Sequence, residues 1–128
     1  MKARVLVATL LSLALLCGCA LLQGPDATGR WEGTATFELS PVGPQPRQIV
    51  LILNDMEGAV TGTLTWFEAY DTSLVTDVAG IRTRSNIEIS GTVHGLLMTL
   101  EGKLHRRAMV GTCTFRGATS AWAVTRVG

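Results

Sequence analysis

This 128-residue chain has little material for active-site chemistry: two histidines, one tyrosine, three cysteines, and charged side chains at only 16%. His94 and His105 fall in turn-like positions at either end of one predicted strand of about ten residues. At roughly 3.3 Å per residue they stand about 30 Å apart, too far to share a metal ion or a proton. No CxxC, HExxH or phosphate-cradling glycine loop is present. Asp71 and Asp77 could touch a cation, but acidic loop residues are ordinarily just solvated. The expectation is no catalytic residue, no metal, no cofactor and no enzyme. Apolar residues at helical spacing are missing over any useful length, which argues against a helical or mixed architecture.

What is present begins with an export-like leader. Met1-Lys2-Ala3-Arg4 gives a basic start, and Val5 to Leu16 is an apolar run interrupted only by Thr9 and Ser12. The run is too short for a stable membrane-spanning helix and has the order of a secretory signal. Leu16-Cys17-Gly18-Cys19 resembles the lipobox of bacterial lipoproteins, in which the leader is cut before a cysteine that carries the lipid. That resemblance implies a signal peptide over residues 1–18, lipidation at Cys19, a tether over 19–28 and a domain over 29–128. It places the protein in the cell envelope, held to a membrane by the lipid. Ala20, rather than aspartate, after the cysteine resembles lipoproteins sorted to the outer membrane, facing the periplasm or the cell surface.

Residues 19–128 amount to one domain. A chain of that length buries roughly 65% of its unfolded surface, enough for a core without staples. Losing Lys2 and Arg4 leaves nine basic residues against ten acidic. Near-neutrality gives no basic field for nucleic acid. With Cys17 removed and Cys19 lipidated, Cys113 is the one remaining thiol, so no internal disulfide can form. Its neighbours Thr112 and Thr114 offer nothing to activate it, so it reads as a small core residue.

From residue 29 the apolar period becomes two. Trp31, Gly33, Ala35, Phe37 and Leu39 alternate with polar residues, as do Val60, Gly62, Leu64 and Trp66, and further runs follow to Val127. Ser40 to Pro46 holds three prolines and reads as a connection rather than a ladder strand. Asn54 to Gly58, His94-Gly95 and Arg116-Gly117 read as hairpin links. The stretch Phe67 to Asn86 is ambiguous, with Ser73 to Ala79 open to being an eighth strand between loops. One frame recurs: Trp31-Glu-Gly-Thr-Ala-Thr-Phe37, Val60-Thr-Gly-Thr-Leu-Thr-Trp66, Met109-Val-Gly-Thr-Cys-Thr-Phe115 and, in part, Ile89-Ser-Gly-Thr-Val93. A mid-strand glycine weakens a strand, so its recurrence asks for a geometric cause, and strong coiling of a closing sheet supplies one. The predicted fold is all-β: a small antiparallel up-and-down barrel of about eight strands. Trp31, Phe37, Leu51, Leu64, Ile89, Leu100 and Phe115 are its expected interior.

Gly29-Arg30-Trp31 opening the first strand, with Arg126 in the last, resembles the signature of the calycin superfamily, which includes lipocalins, avidins and small bacterial protease inhibitors. The resemblance implies that Arg126 covers Trp31 and fastens the seam between first and last strands. Trp66, Tyr70 and Trp122 are the candidate contacts for a ligand or partner, with Glu68 to Thr72 a long loop beside the barrel. Trp66 and Trp122 fill the core or line a cup at the mouth. Two roles follow. The favoured one is a non-catalytic binding module for a small apolar ligand or lipid; the other is an inhibitor or interaction protein acting on a partner protein. A third arrangement, a lipid-spanning barrel with inverted alternation, is opposed by the lipobox.

Overall fold

The computed structural model describes residues 25–39, 43–69 and 72–128, with backbone alone for 37–39, 43, 44, 68, 69 and 72. Eight strands follow one another: β1 (Gly29–Leu39), β2 (Gly43–Met56), β3 (Ala59–Ala69), β4 (Thr72–Thr83), β5 (Asn86–Val93), β6 (Leu96–His105), β7 (Ala108–Phe115) and β8 (Ala118–Val127). Each pairs antiparallel with the next, and β1 pairs with β8 from Arg30↔Val127 to Ala35↔Trp122. The sheet is therefore a closed up-and-down barrel, all-β among the described residues. Period-two alternation drives it: in β5 Ile87, Ile89 and Val93 are buried while Glu88 and Thr92 are exposed.

The core is continuous from Ala27 to Val124 and includes Trp31, Leu51, Leu64, Ile89, Leu100, Phe115 and Trp122. The inward-facing side chains are mostly apolar, while the outer face mixes threonines and charges with exposed Ile52, Met56, Val75, Ile81, Leu97 and Val110. The side chain of Phe37 lies outside the described residues.

The recurring glycines have a steric cause. A Cβ at Gly33, Gly62 or Gly111 would lie 1.8–1.9 Å from a carbonyl oxygen of the neighbouring strand. Those carbonyls belong to Ala123, Ile52 and Glu101 in turn, and Gly80 meets the Glu88 oxygen in the same way. The strands coil so tightly at these points that the next backbone occupies the side-chain position. Only glycine fits there.

Tight turns set the register. Glu57-Gly58, His94-Gly95 and Arg116-Gly117 each place both residues at positive φ (55 and 96, 51 and 76, 55 and 77°), the two-residue link whose twist matches the strands. Arg84-Ser85 and Arg106-Arg107 make two more turns, with positive φ at Arg84 and Arg106.

Three expectations change. The loop expected over Glu68 to Thr72 is narrower, because Glu68 and Ala69 end β3 and Thr72 opens β4, which takes in Ser73 to Ala79 as the eighth strand the sequence leaves open. Asn54 to Met56 complete β2 and only Glu57-Gly58 turn. Pro44 and Pro46 do lie in a ladder, opposite Glu38 and Thr36. The reason is that β2 has a single neighbour there, since its pairing with β3 starts at Ile49. Prolines two apart direct their missing donors to the same side of the strand, where the ladder can spare them.

Candidate functional site

The first feature is the closed end of the barrel, where β1 begins, β8 finishes and the turns after β2, β4 and β6 gather. Asp26 to Thr28 crosses this end and buries Ala27 completely. In β2 the inward frame Ile49, Leu51, Leu53 continues to Asp55, and in β4 the frame Val78, Gly80 continues to Arg82. The two charges therefore meet inside. Arg82 Nε donates to Asp55 Oδ2, with side chains 4% and 1% exposed. The same carboxylate accepts from Ala27 N–H at 3.0 Å and Gly58 N–H at 2.8 Å. Thr28 Oγ1 accepts from Asp55 N–H at 2.9 Å, and Arg82 Nη1 donates to the Arg84 carbonyl at 2.8 Å. Burial pushes the Asp55 carboxyl up, but Arg82 and the two backbone donors outweigh it and hold the group below the ordinary carboxylate range. This latch ties the leading segment to two strands and a turn, so its role is structural.

Beside it, the Arg126 guanidinium carbon sits 4.6 Å from the Trp31 ring centroid. Arg126 Nη2 donates to the Asp26 carbonyl, and Trp31 Nε1 donates to the Ala27 carbonyl at 2.9 Å. The pair spans the β1–β8 seam and clamps the same segment from above.

The second feature is the interior, which side chains fill. Trp122 is 2% exposed and its Nε1 donates to the Glu101 and Thr112 carbonyls, both at 3.0 Å. Its ring lies over the glycine bend, 2.8 Å from where a Gly102 Cβ would sit. Trp122 thus satisfies carbonyls that the coiling turns inward, and it takes the core role rather than lining a cup. Cys113 is fully buried. Burial pushes its thiol up to about 11, against a hydrogen bond with Ser120 that lowers it. A thiol so placed stays protonated and unreactive at neutral pH.

The third feature is the mouth, at the opposite end. Trp66, Leu64, Leu74, Val93 and His94 line a cavity of about 100 Å³. The Trp66 ring lies 6.2 Å from both His94 and Phe115, edge-on to the latter. A site for a drug-sized ligand is typically 300–1,000 Å³, so this hollow holds only a fragment. Tyr70 and Cys19 lie outside the described residues.

The fourth feature lies on the outer wall near the closed end, where β4 to β7 bend around Gly102 and Gly111. An open groove of about 570 Å³ runs there between Ile81 and Val110, which are 65% and 55% exposed. Glu88 and Glu101 stand directly opposite each other on its floor, with Lys103 at one side. Neither carboxylate makes an ion pair among the described residues. Like charges facing each other across an antiparallel pair disfavour the sheet, so a cation between them would relieve the repulsion.

Sequence reasoning placed Trp31, Arg126, Trp66 and Trp122 on strands but did not foresee the Asp55–Arg82 latch or the groove. The latch did have a signal, since Asp55 continues an apolar alternation. The groove had none, because it depends on which outward residues become neighbours across four strands. Among the described residues no group of three His, Cys, Asp or Glu could hold a metal ion. Fold and site together define a closed eight-stranded antiparallel barrel with a filled interior and its larger concavity outside. No family model and no curated protein matches the chain.

Proposed function

We propose that this protein is a non-catalytic interaction module of the bacterial cell envelope, lipid-anchored through Cys19, with a calycin-like barrel that holds a partner protein on its outer wall. The observation that carries the reading is the groove: two opposed carboxylates between two exposed aliphatic side chains, on a barrel whose interior is packed. Its chemistry suits a protein segment that presents a lysine or arginine beside an apolar residue. The cation would sit between Glu88 and Glu101 while the apolar side chain covers Ile81 or Val110. A rigid sheet supports the contacts, so little ordering cost falls on this side of the interface.

In-cell crosslinking tests it. A photoreactive residue at Thr112, in the groove, should give a discrete adduct that Glu88→Lys with Glu101→Lys abolishes. Thr119→Lys, exposed on β8, should leave the adduct intact. An adduct indifferent to the charge reversal would dismiss the groove.

A second reading, a small apolar ligand at the mouth, draws on Trp66, which lines a cavity there. At about 100 Å³ that cavity has room for roughly three waters' volume, so a lipid would need the mouth to open further.

A further inference from the structure

The closed end carries arginines that the latch and the seam do not use. Arg84 lies in the turn between β4 and β5, and Arg106 and Arg107 form the turn between β6 and β7. All three are exposed, and none makes an ion pair among the described residues. Arg107 Nη2 donates only to the Gly128 carbonyl, at 3.3 Å. The turns that carry them are fixed. Ser85 O accepts from Leu104 N–H at 2.7 Å and Arg107 O accepts from Arg126 N–H at 2.8 Å, so each turn is bonded to a further strand. Among the acids at this end, Arg82 neutralises Asp55 and Arg30 pairs with Glu32 at 2.9 Å. Asp26 is exposed and accepts from Thr28 N–H, Glu88 and Glu101 stand on the outer wall nearby, and the turns themselves carry one acid, Glu57, against the three arginines. A nearly neutral domain thus presents a rigid cationic rim at one end.

The chain enters the barrel at this same end. Asp26 and Ala27 are pinned to Arg126 and Asp55, and Cys19 lies seven residues before Asp26. Seven extended residues span at most about 25 Å. A lipid at Cys19 would therefore keep Asp26, at the closed end, within that distance of a bilayer. We propose that Arg84, Arg106 and Arg107 dock the closed end on anionic phospholipid headgroups, so that the barrel stands with its mouth away from the membrane. The proposal rests on lipidation at Cys19. The leash makes docking intramolecular, so weak charge contacts suffice. Each arginine near an anionic surface contributes about five-fold, and the three together on the order of 100-fold in the docked-to-free ratio.

The test uses the full chain matured in a bacterial host and reconstituted into vesicles. One set is phosphatidylethanolamine with one-quarter phosphatidylglycerol, the other phosphatidylcholine alone. A fluorophore at Ser85→Cys reports the rim, one at Thr119→Cys reports the mouth end, and nitroxide headgroups quench whatever lies at the surface. Lipid anchoring is read separately, as flotation with both vesicle types in 0.5 M salt. The expected result is strong quenching at residue 85 but not at 119, on phosphatidylglycerol vesicles only and lost in 0.5 M salt. Arg84→Gln, Arg106→Gln and Arg107→Gln together should lower it to the phosphatidylcholine level while flotation persists. Equal quenching on both vesicle types, salt-indifferent quenching, or quenching untouched by the triple variant overturns the docking. Loss of flotation overturns the anchoring instead. The salt and lipid comparisons need no variant, so a triple variant that fails to fold leaves the decision intact.

Discussion

Asp55→Asn is the most informative single change. It keeps the size of the side chain and removes its charge, so the Arg82 guanidinium loses the Asp55 carboxylate at a site where the two side chains are 4% and 1% exposed. Removing one member of a buried ion pair costs about 3–5 kcal/mol, because the remaining charge stays buried without compensation. That is a large share of the 5–15 kcal/mol typical of a whole domain. Arg82→Ala should lose a similar amount, although the sequence places Arg82 in a connection where the expected loss is below about 0.5 kcal/mol. Asp55→Leu with Arg82→Met should cost much less than the two single losses added, since an apolar pair needs no compensation. Urea denaturation followed by tryptophan fluorescence measures all four proteins. The acid limb gives an independent reading. Because Asp55 is held below the ordinary carboxylate value, the unfolded chain binds its proton first as pH falls. The stabilisation is complete above about pH 5 and is lost as pH drops through about 4 towards the lowered native value. Asp55→Asn should flatten that part of the profile. Single losses below about 0.5 kcal/mol, additive losses in the double variant, or an unchanged acid limb would refute the latch.

Three further outcomes follow from the geometry. Gly111→Ala should destabilise by at least 3 kcal/mol or prevent folding, because its Cβ would fall 1.8 Å from the Glu101 oxygen, whereas Gly95→Ala, with nothing within 4 Å but φ at +76°, should cost about 1 kcal/mol. Arg126→Ala should cost roughly 0.5–2 kcal/mol from its contact with Trp31 and be non-additive with Trp31→Phe; additive losses would show that the ring contact carries no coupling. Cys113, with its thiol raised to about 11, should resist alkylation at pH 8 until urea unfolds the barrel, and rapid labelling of the native protein would place it at the surface instead.

Much of this fold was legible because a barrel encodes itself locally. Strict alternation marks each strand, and the Gly-Thr frame marks the points where the sheet coils. At Gly33, Gly62 and Gly111 the cause inferred from sequence, crowding in a closing sheet, corresponds to a carbonyl in the Cβ position. The region before Asn86 was ambiguous for a physical reason. Thr76 and Gly80 interrupt the inward face of Thr72 to Thr83 and Arg82 ends it, and the charge makes sense only once Asp55 lies opposite. Pro44 and Pro46 did mislead, since proline excludes a strand only where both edges are paired. The candidate site was less legible. Trp66 and Trp122 have the same alternation in sequence, yet Trp122 sits over a glycine bend that consumes its N–H while Trp66 lies at the mouth. The groove needs Ile81, Glu88, Glu101 and Val110 from four strands, and no local pattern states their adjacency.

Whether the barrel binds from its wall or from its interior is decided most directly by mass spectrometry of the protein purified in its native state from cells, followed by organic extraction. A packed interior and a 100 Å³ mouth predict no stoichiometric small apolar molecule retained with the folded domain. One lipid-sized or other apolar ligand per barrel, held non-covalently and released only on unfolding, would contradict a filled core and return the function to the interior.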